Sequence, residues 1–227
     1  MSDVRPAATV VLLRDSPEGL HVLLLRRNSA LGFAAGQWVF PGGRVDAEEI
    51  AATADPLSAA RLAAARETLE EAQIRIDSPD ELIFYSHWTT PPVMPKRYAT
   101  WFFVCRAPVE DAVTVDGGEI DDHLWVRPED ALLRQRREEI EMLPPTFVTL
   151  TELASCTTVA EALERAAHRE VPVFEPHFVI REGEPTVSIY EGDAGYESAD
   201  PDVPGCRHRM VLERGNWHYL NNGVIPW

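Results

Sequence analysis

The chain has 227 residues, 45% of them hydrophobic, which suits one large domain or one domain with an added subdomain. Its 37 acidic residues outnumber its 21 basic residues, and the net charge of −16 argues against binding along a nucleic-acid polymer. No apolar run approaches the roughly 20 residues that span a bilayer, residues 1–6 contain no signal-peptide stretch, and three widely separated cysteines suit a reducing compartment, so we expect a cytoplasmic protein that does not enter a membrane.

The first predicted elements form a β-hairpin. Residues 7–13 and 21–25 are rich in strand-forming side chains, and the turn-forming residues 15–19 separate them. The glycine-rich residues 32–43 predict a loop, which residues 38–40 interrupt as a short strand.

Residues 57–74 predict a helix with two chemically different faces. Apolar side chains recur at spacings of three and four, at Leu62, Ala65, Leu69 and Ala72. This stripe predicts the face that packs in the core. Glu67, Glu70 and Glu71 stand at i, i+3 and i+4 and share an arc of roughly 100° on the other face.

The second half of the chain predicts further strands and helices. Residues 97–105 are apolar on both faces and indicate a central strand, residues 124–126 indicate another, and Pro128 suits the first turn of a helix. Pro144 and Pro145 open a second helix.

Beyond these elements, Thr158 and Glu161 form a capping-box signature for a third helix, which runs to about Arg169. Residues 207–212 and 217–220 flank a turn as a hairpin would. This order of strands and helices predicts an α/β sandwich with a C-terminal extension.

The three helix glutamates are candidate metal ligands. Carboxylates this close repel one another, and a hard cation such as Mg²⁺, which prefers carboxylate and water oxygens, relieves the repulsion. Gly42 and Gly43 permit a close backbone approach, so a carbonyl could join the ligands. The alternative interpretation is a solvated helix face that binds nothing.

Together these segments resemble the Nudix box, in which a glycine, five residues, a glutamate and seven further residues precede an Arg-Glu-aliphatic-x-Glu-Glu-x-Gly-aliphatic sequence. The matching residues are Gly43, Glu49, Arg66, Glu67, Glu70, Glu71 and Ile74. Sixteen residues, 50–65, replace the seven between Glu49 and Arg66, Thr68 occupies an aliphatic position, and Gln73 replaces the second glycine. The interrupted box, with residues 24–43 and 88–103, is similar to the peroxisomal-type coenzyme A diphosphatase branch of the superfamily.

The resemblance implies a fold and a domain organisation. The fold is a Nudix α/β/α sandwich with a mixed sheet, plus a C-terminal helical and β-hairpin extension. Residues 1–140 would be the hydrolase core, with the box at 43–74 and its insertion at 50–65. Residues 141–227 would pack on this core without forming an independent domain.

The resemblance also implies a mechanism. Glu67, Glu70, Glu71 and the Gly43 carbonyl would hold Mg²⁺, for which Mn²⁺ could substitute. Arg66 would orient a glutamate, and either Glu67 or the loop residue Glu119 would take a proton from the attacking water.

Four basic residues are candidates for contact with substrate phosphates: Arg27, Arg44, Lys96 and Arg97. Pairing with surface acids is the alternative for each arginine. Trp88, Tyr98 and Trp101 could stack on an adenine or pack in the core.

The implied reaction is hydrolysis of a diphosphate bond in a nucleoside diphosphate derivative, with coenzyme A or an acyl-coenzyme A as the first candidate. ADP-ribose, a dinucleotide or a nucleotide sugar is the alternative substrate. A Nudix-fold nucleotide sensor without catalytic activity is the alternative class of protein. The expected partner is a small nucleotide, and the resemblance leaves room for a homodimer.

Overall fold

The computed structural model describes residues 4–30, 34–108, 112–213, 215–225 and 227. Residues 32 and 33 of the predicted glycine-rich loop, and Arg214 of the predicted C-terminal turn, lie outside the described residues. The strands are β1 (Val4–Ser16), β2 (Gly19–Arg27), β3 (Trp38–Val39), β4 (Gly42–Arg44), β5 (Ile83–Thr89), β6 (Arg97–Arg106), β7 (Ile120–Val126), β8 (Val173–Phe174), β9 (His177–Val179), β10 (Thr186–Ile189), β11 (His208–Glu213) and β12 (Asn216–Asn221). The helices are α1 (Ala47–Ala52), α2 (Pro56–Ala72), α3 (Pro128–Arg136), α4 (Pro144–Leu153) and α5 (Val159–His168), with a 3₁₀ turn at Pro79–Glu81.

A mixed sheet forms the centre of the molecule. Its strands run in the order β3-β2-β1-β6-β5-β8, while β4 pairs with β1 and β7 pairs with β2. Strands β1 and β2 are antiparallel and meet at the Ser16↔Gly19 pair, which confirms the predicted hairpin. Strand β6 lies between β1, to which it is parallel, and β5, to which it is antiparallel, so the central strand is also confirmed.

Helices cover both faces of this sheet because side chains alternate along each strand. Val10 and Leu12 of β1 pack with the alanines of α2. Val11 and Leu13 point the other way and share a core with α3, α4 and α5. The protein is therefore an α/β/α sandwich.

The buried face of α2 differs from the predicted one. Its buried side chains are small except for Glu71: Ala59, Ala60, Ala63, Ala64, Thr68, Glu71 and Ala72. Leu62 and Leu69 are 36% and 37% exposed, so the prediction that both pack in the core is wrong. Alanines let the helix approach the sheet closely, and a leucine at those positions would overfill the gap.

The insertion within the box, residues 50–65, supplies the last turn of α1, the loop after it and the N-terminal part of α2. Asp55 caps α2 by accepting a 3.0 Å hydrogen bond from the amide of Ser58, and Pro56 occupies the first turn. The helix ends at Gln73, whose φ of 58° lies in the left-handed region. This conformation explains why the box pattern described above has a glycine at this position.

The C-terminal segments join the core and add a second sheet. Helices α4 and α5 begin where predicted, and Thr158 caps α5 by accepting from the amide of Glu161 at 3.2 Å. Strand β8 extends the central sheet parallel to β5, whereas β9 to β12 form a separate antiparallel sheet. The predicted hairpin is β11–β12. Within the described part of the chain, no helix combines the length and apolarity needed to cross a bilayer.

Candidate active site

The two glycines of the box sit where a side chain would not fit. Strand β4 pairs with β1 through Gly42↔Thr9 and Gly43↔Ala8. A Cβ atom on Gly42 would lie 2.4 Å from the carbonyl oxygen of Ala8, and one on Gly43 would lie 2.2 Å from Oε1 of Glu67. The glycines therefore bring the strand backbone against the acidic face of α2.

The guanidinium of Arg66 joins the two halves of the box. Its Nε donates to Oε1 of Glu49 at 2.8 Å, and its Nη2 donates to the carbonyl of Arg44 at 3.0 Å. Its Nη1 donates to Glu67 at 2.8 Å and to Glu70 at 3.1 Å. Burial alone would lower the pKa of Arg66, but Glu49 and Glu67 raise it, so the guanidinium stays charged.

Glu71 is the most enclosed acid of the cluster, with 5% of the residue exposed. Its Oε2 accepts a 2.9 Å hydrogen bond from the amide of Gly42, and Nη1 of Arg27 lies 3.9 Å from its Oε1. Burial, together with the charges of Glu67 and Glu119, raises the pKa of Glu71 to about 8, although the contacts with Gly42 and Arg27 oppose the shift.

The other candidate acids are more accessible. Burial raises the pKa of Glu67, although Arg66 opposes the shift. The side chain of Glu70 is 56% exposed. Glu119 is 62% exposed and lies 3.4 Å from Nη2 of Arg27, so the loop acid does reach the box cluster.

The carboxylate oxygens of this cluster are suitable ligands for a hard divalent cation. Carboxylate oxygens are the ligands that Mg²⁺ and Mn²⁺ prefer. Burial is the main cause of the raised pKa of Glu71, and the repulsion from Glu67 and Glu119 that adds to it is the kind that such a cation relieves. In the residues that the structure describes, no three carboxylate, imidazole or thiolate groups already converge as a metal site. Glu67 and Glu70 are instead turned toward Arg66.

A cavity of about 1040 Å³ opens in front of this cluster. Its lining includes Gly43, Glu67 and Glu119 of the cluster, together with the candidate phosphate contacts Arg27 and Arg44. Arg44 also lies 3.7 Å from Asp46, and Arg27 contacts Glu71 and Glu119. The two arginines are thus held by acids at the rim of the box.

Lys96 and Arg97 are not brought to this cavity. Tyr98 and Thr100 line it, and because side chains alternate along β6, Arg97 points away and donates to the carbonyl of Thr90 at 3.0 Å. Lys96 is exposed in the preceding loop. The expected phosphate contacts by these two residues therefore find no support in the geometry.

The three candidate aromatic residues also differ in whether they line the cavity. Trp88 lines the cavity but is 4% exposed and stacks on Phe174 at a centroid distance of 3.8 Å, so core packing dominates its surroundings. Tyr98 lines the cavity, whereas Trp101 packs against His87 at 5.0 Å on the other side of the sheet.

The far wall of the cavity was not predicted from the sequence. It includes Phe178, Ile180 and Trp217 of the C-terminal segments, and of these residues only Trp217 lies in a strand that the sequence predicts. The one local signal is Ile180, an apolar residue next to a charged, turn-forming stretch, which is 74% exposed. A single exposed apolar side chain is common on protein surfaces, so this signal alone does not identify the wall.

Several known proteins are similar to this chain in sequence. A sequence profile described as the NUDIX domain matches residues 3–147. The chain is 25% identical over 187 residues to "Putative nudix hydrolase 7" of Caenorhabditis elegans, covering 67% of this chain and 61% of that protein. It is 29% identical over 133 residues to "Acyl-coenzyme A diphosphatase NUDT19" of Xenopus laevis, covering 56% of this chain and 35% of that protein. The chain thus spans less than two thirds of the length of these relatives.

The crystal structure of a NUDIX hydrolase from Alicyclobacillus acidocaldarius is similar to this fold. The two chains are 26% identical with a TM-score of 0.65, and the match covers 72% of this chain and 97% of that one. The likeness extends to nearly the whole of that protein, so the remaining part of the present chain is additional to it.

Proposed function

The chain belongs to the NUDIX domain family, and from this premise we propose that it hydrolyses a diphosphate bond in a nucleoside diphosphate derivative with the help of a divalent metal. The observation that carries the proposal is the acid cluster around Arg66, which borders a cavity large enough for a nucleotide. Coenzyme A or an acyl-coenzyme A is the first substrate candidate, and the likeness to a protein named acyl-coenzyme A diphosphatase supports it.

The cation, Mg²⁺ or Mn²⁺, would be held by Glu67, Glu70, Glu71 and the Gly43 carbonyl. When bound, such an ion supplies Lewis-acid assistance and neutralises charge that develops on the diphosphate. The role of Gly42 is to fix the carboxylate of Glu71 through its amide.

Arg66 is proposed as a positioning residue. It holds Glu67 and Glu70 on one side of the box and Glu49 and the Arg44 carbonyl on the other. Without these bonds the acids would be free to take other rotamers, and the site would lose its pre-organisation.

Attack of water on phosphorus forms one P–O bond and breaks the bridging P–O bond, and a carboxylate must accept the proton. Glu67 and Glu119 both line the cavity. The raised pKa of Glu67 brings its basicity nearer to neutral pH, which favours Glu67 as the proton acceptor. Arg27 and Arg44 are the proposed phosphate contacts.

One observation favours a substrate without the additional 3′-phosphate of coenzyme A. Among the described residues that line the cavity, the cations are Arg27 and Arg44, and both contact acids of the box. ADP-ribose, a dinucleotide or a nucleotide sugar, which needs no second anion site, is therefore the second candidate. We also propose that residues 1–140 and 141–227 act as one unit, since β8 of the second segment extends the sheet of the first.

The experiment is a panel of diphosphate compounds incubated with the chain and MgCl₂, with EDTA as the blank. Coenzyme A, octanoyl-coenzyme A, ADP-ribose, diadenosine tetraphosphate and UDP-glucose cover the candidates. We expect metal-dependent cleavage, with adenosine 3′,5′-bisphosphate as one product from coenzyme A. Failure with all compounds in both Mg²⁺ and Mn²⁺ would contradict a hydrolase, and tight binding of one compound without cleavage would favour a sensor.

A further inference from the structure

We propose that the C-terminal sheet forms a binding wall for an apolar group carried by the substrate, and thereby determines which diphosphates the protein prefers. This inference rests on the proposed function for its choice of substrate class. The wall consists of Pro176, Phe178, Ile180, Thr186, Ser188 and Trp217, all of which line the cavity. All six lie beyond residue 147, where the match to the family ends.

The lining residues from the two parts of the chain differ in charge. Every charged residue among its described lining residues lies at or before position 119, and those residues are Arg27, Arg44, Asp46, Glu67 and Glu119. The six residues of the C-terminal wall carry no charge. A phosphate or a carboxylate beside the wall would find no cation in it, whereas an aliphatic or aromatic group would find apolar surface.

Several apolar side chains that line the cavity are exposed to solvent. Ile180 is 74% exposed, and Val93 and Met94, which face the cavity from the loop after β5, are 67% and 36% exposed. Single exposed apolar side chains are common on protein surfaces. Several that line one cavity are instead a candidate binding surface. An apolar group bound there would remove this surface from water.

A buried ion pair also braces the sheet that carries the wall. Asp193 accepts hydrogen bonds from Nε of Arg209 at 2.7 Å and from the amide of His208 at 2.8 Å, which ties the segment after β10 to β11. Burial would raise the pKa of Asp193, but Arg209 and two backbone amides lower it to about 2, so the pair stays ionised. A fixed wall favours selectivity, because little ordering of the protein is needed when the ligand binds.

Two substitutions test the apolar surface without threatening the fold, one at Ile180 in the wall and one at Val93, which lines the cavity from the loop after β5. Ile180→Asn and Val93→Asn each replace a side chain that is mostly exposed. Leu220→Asn is the matched control, since Leu220 lies on β12 of the same sheet, is 41% exposed and does not line the cavity. The probes are coenzyme A and octanoyl-coenzyme A, which share every charged group and differ in one apolar chain.

Binding is measured by calorimetry in EDTA, where the metal is removed, and kcat/KM is measured separately with MgCl₂. We expect octanoyl-coenzyme A to bind at least 10-fold more tightly than coenzyme A to the unaltered chain. Ile180→Asn and Val93→Asn should each reduce this ratio about 3-fold or more, and Leu220→Asn should preserve it.

Equal affinity of the two probes, a failure of both to bind, or the same reduction of the ratio by Leu220→Asn would each overturn the proposal. A failure of the proposed function is seen differently, as absence of cleavage with MgCl₂ while octanoyl-coenzyme A still binds more tightly than coenzyme A in EDTA. If both compounds were cleaved with equal kcat/KM and bound with equal affinity, the proposed hydrolase activity would stand. Only the proposal of the apolar wall would then be refuted.

Discussion

The amide of Gly42 donates a 2.9 Å hydrogen bond to Oε2 of Glu71, so the glycine strand and the acidic helix meet at a buried carboxylate. The contact joins the two halves of the box across the insertion at 50–65. The inserted residues are therefore accommodated as the end of α1, a loop and added turns of α2, and the two halves of the box stay in contact.

We expect Glu70→Gln and Glu71→Gln each to lower kcat by at least 100-fold, because each removes a charged oxygen from the proposed metal ligands. Glutamine keeps the shape of the side chain, so the melting temperature should change little or rise. The measurement is product release with MgCl₂, and Glu48→Gln, an exposed acid of α1, is the control. Wild-type rates in both variants would show that the ligands are assigned wrongly.

Arg66→Lys should lower kcat about 10- to 100-fold. A lysine carries one point charge and cannot donate at once to Glu49, Glu67 and the Arg44 carbonyl, as the guanidinium does. Arg61→Lys on the same helix is the matched control, since Arg61 donates to the carbonyl of Leu82 away from the box. An unchanged kcat with a raised KM would instead mark Arg66 as a substrate contact.

The stability of the metal-free protein should depend on pH through Glu71. Its pKa is about 8 in the folded chain and near 4.5 when unfolded, so its contribution to stability is complete below about pH 4.5 and is lost as pH rises toward 8. The loss amounts to a few kcal/mol, at about 1.4 kcal/mol per pKa unit. Urea unfolding in EDTA at pH 5 and pH 8 measures it. Glu71→Gln should flatten the dependence, and identical slopes in both proteins would refute this assignment.

Gln73→Gly should stabilise the fold by about 0.5 kcal/mol. Gln73 has a φ of 58°, where a glycine avoids the strain that a side chain introduces. The gain is small because the substitution also removes the hydrogen bond from Nε2 of Gln73 to the carbonyl of Leu69. Gln73→Ala keeps the strain and loses the bond, so it should destabilise. Urea unfolding of the unaltered chain and the two variants measures their free energies of unfolding and tests this order of stability.

Asp193→Asn should destabilise the protein by about 3–5 kcal/mol, because Arg209 would be left buried without its charged partner. The double variant Asp193→Asn/Arg209→Met removes both charges and should recover much of that loss. Thermal unfolding of the single and double variants is the measurement. Equal loss in the two would show that the hydrogen bonds to the backbone of this segment, and not the charge pair, hold the sheet.

Local signals in the sequence predicted much of the fold. The hairpin at β1–β2, the first-turn proline of α3 and the cap of α5 depend on residues within a few positions of one another, and each was confirmed. The acids of the box were likewise recognisable because their spacing lies within one helix.

Local signals did not predict which face of a helix or strand is buried or lines the cavity. In α2 the leucines suggested one buried face, but the sheet approaches so closely that the alanines of another face fill the gap. Likewise, no property of Arg97 itself reveals that the cavity lies on the Tyr98 side of β6. The far wall is harder still, since Phe178 and Trp217 come together with Val93 only through long-range packing.

The cavity that runs from the box to the C-terminal sheet has a consequence for how its specificity can change. The acids of the box lie between residues 49 and 71, and the apolar wall is contributed by residues 176–217. On our proposals, bond cleavage and choice of substrate are encoded in separate stretches of chain. Mutations in the second stretch could therefore broaden or shift the accepted compounds while the catalytic groups stay as they are, which makes the C-terminal strands the natural region for redesign.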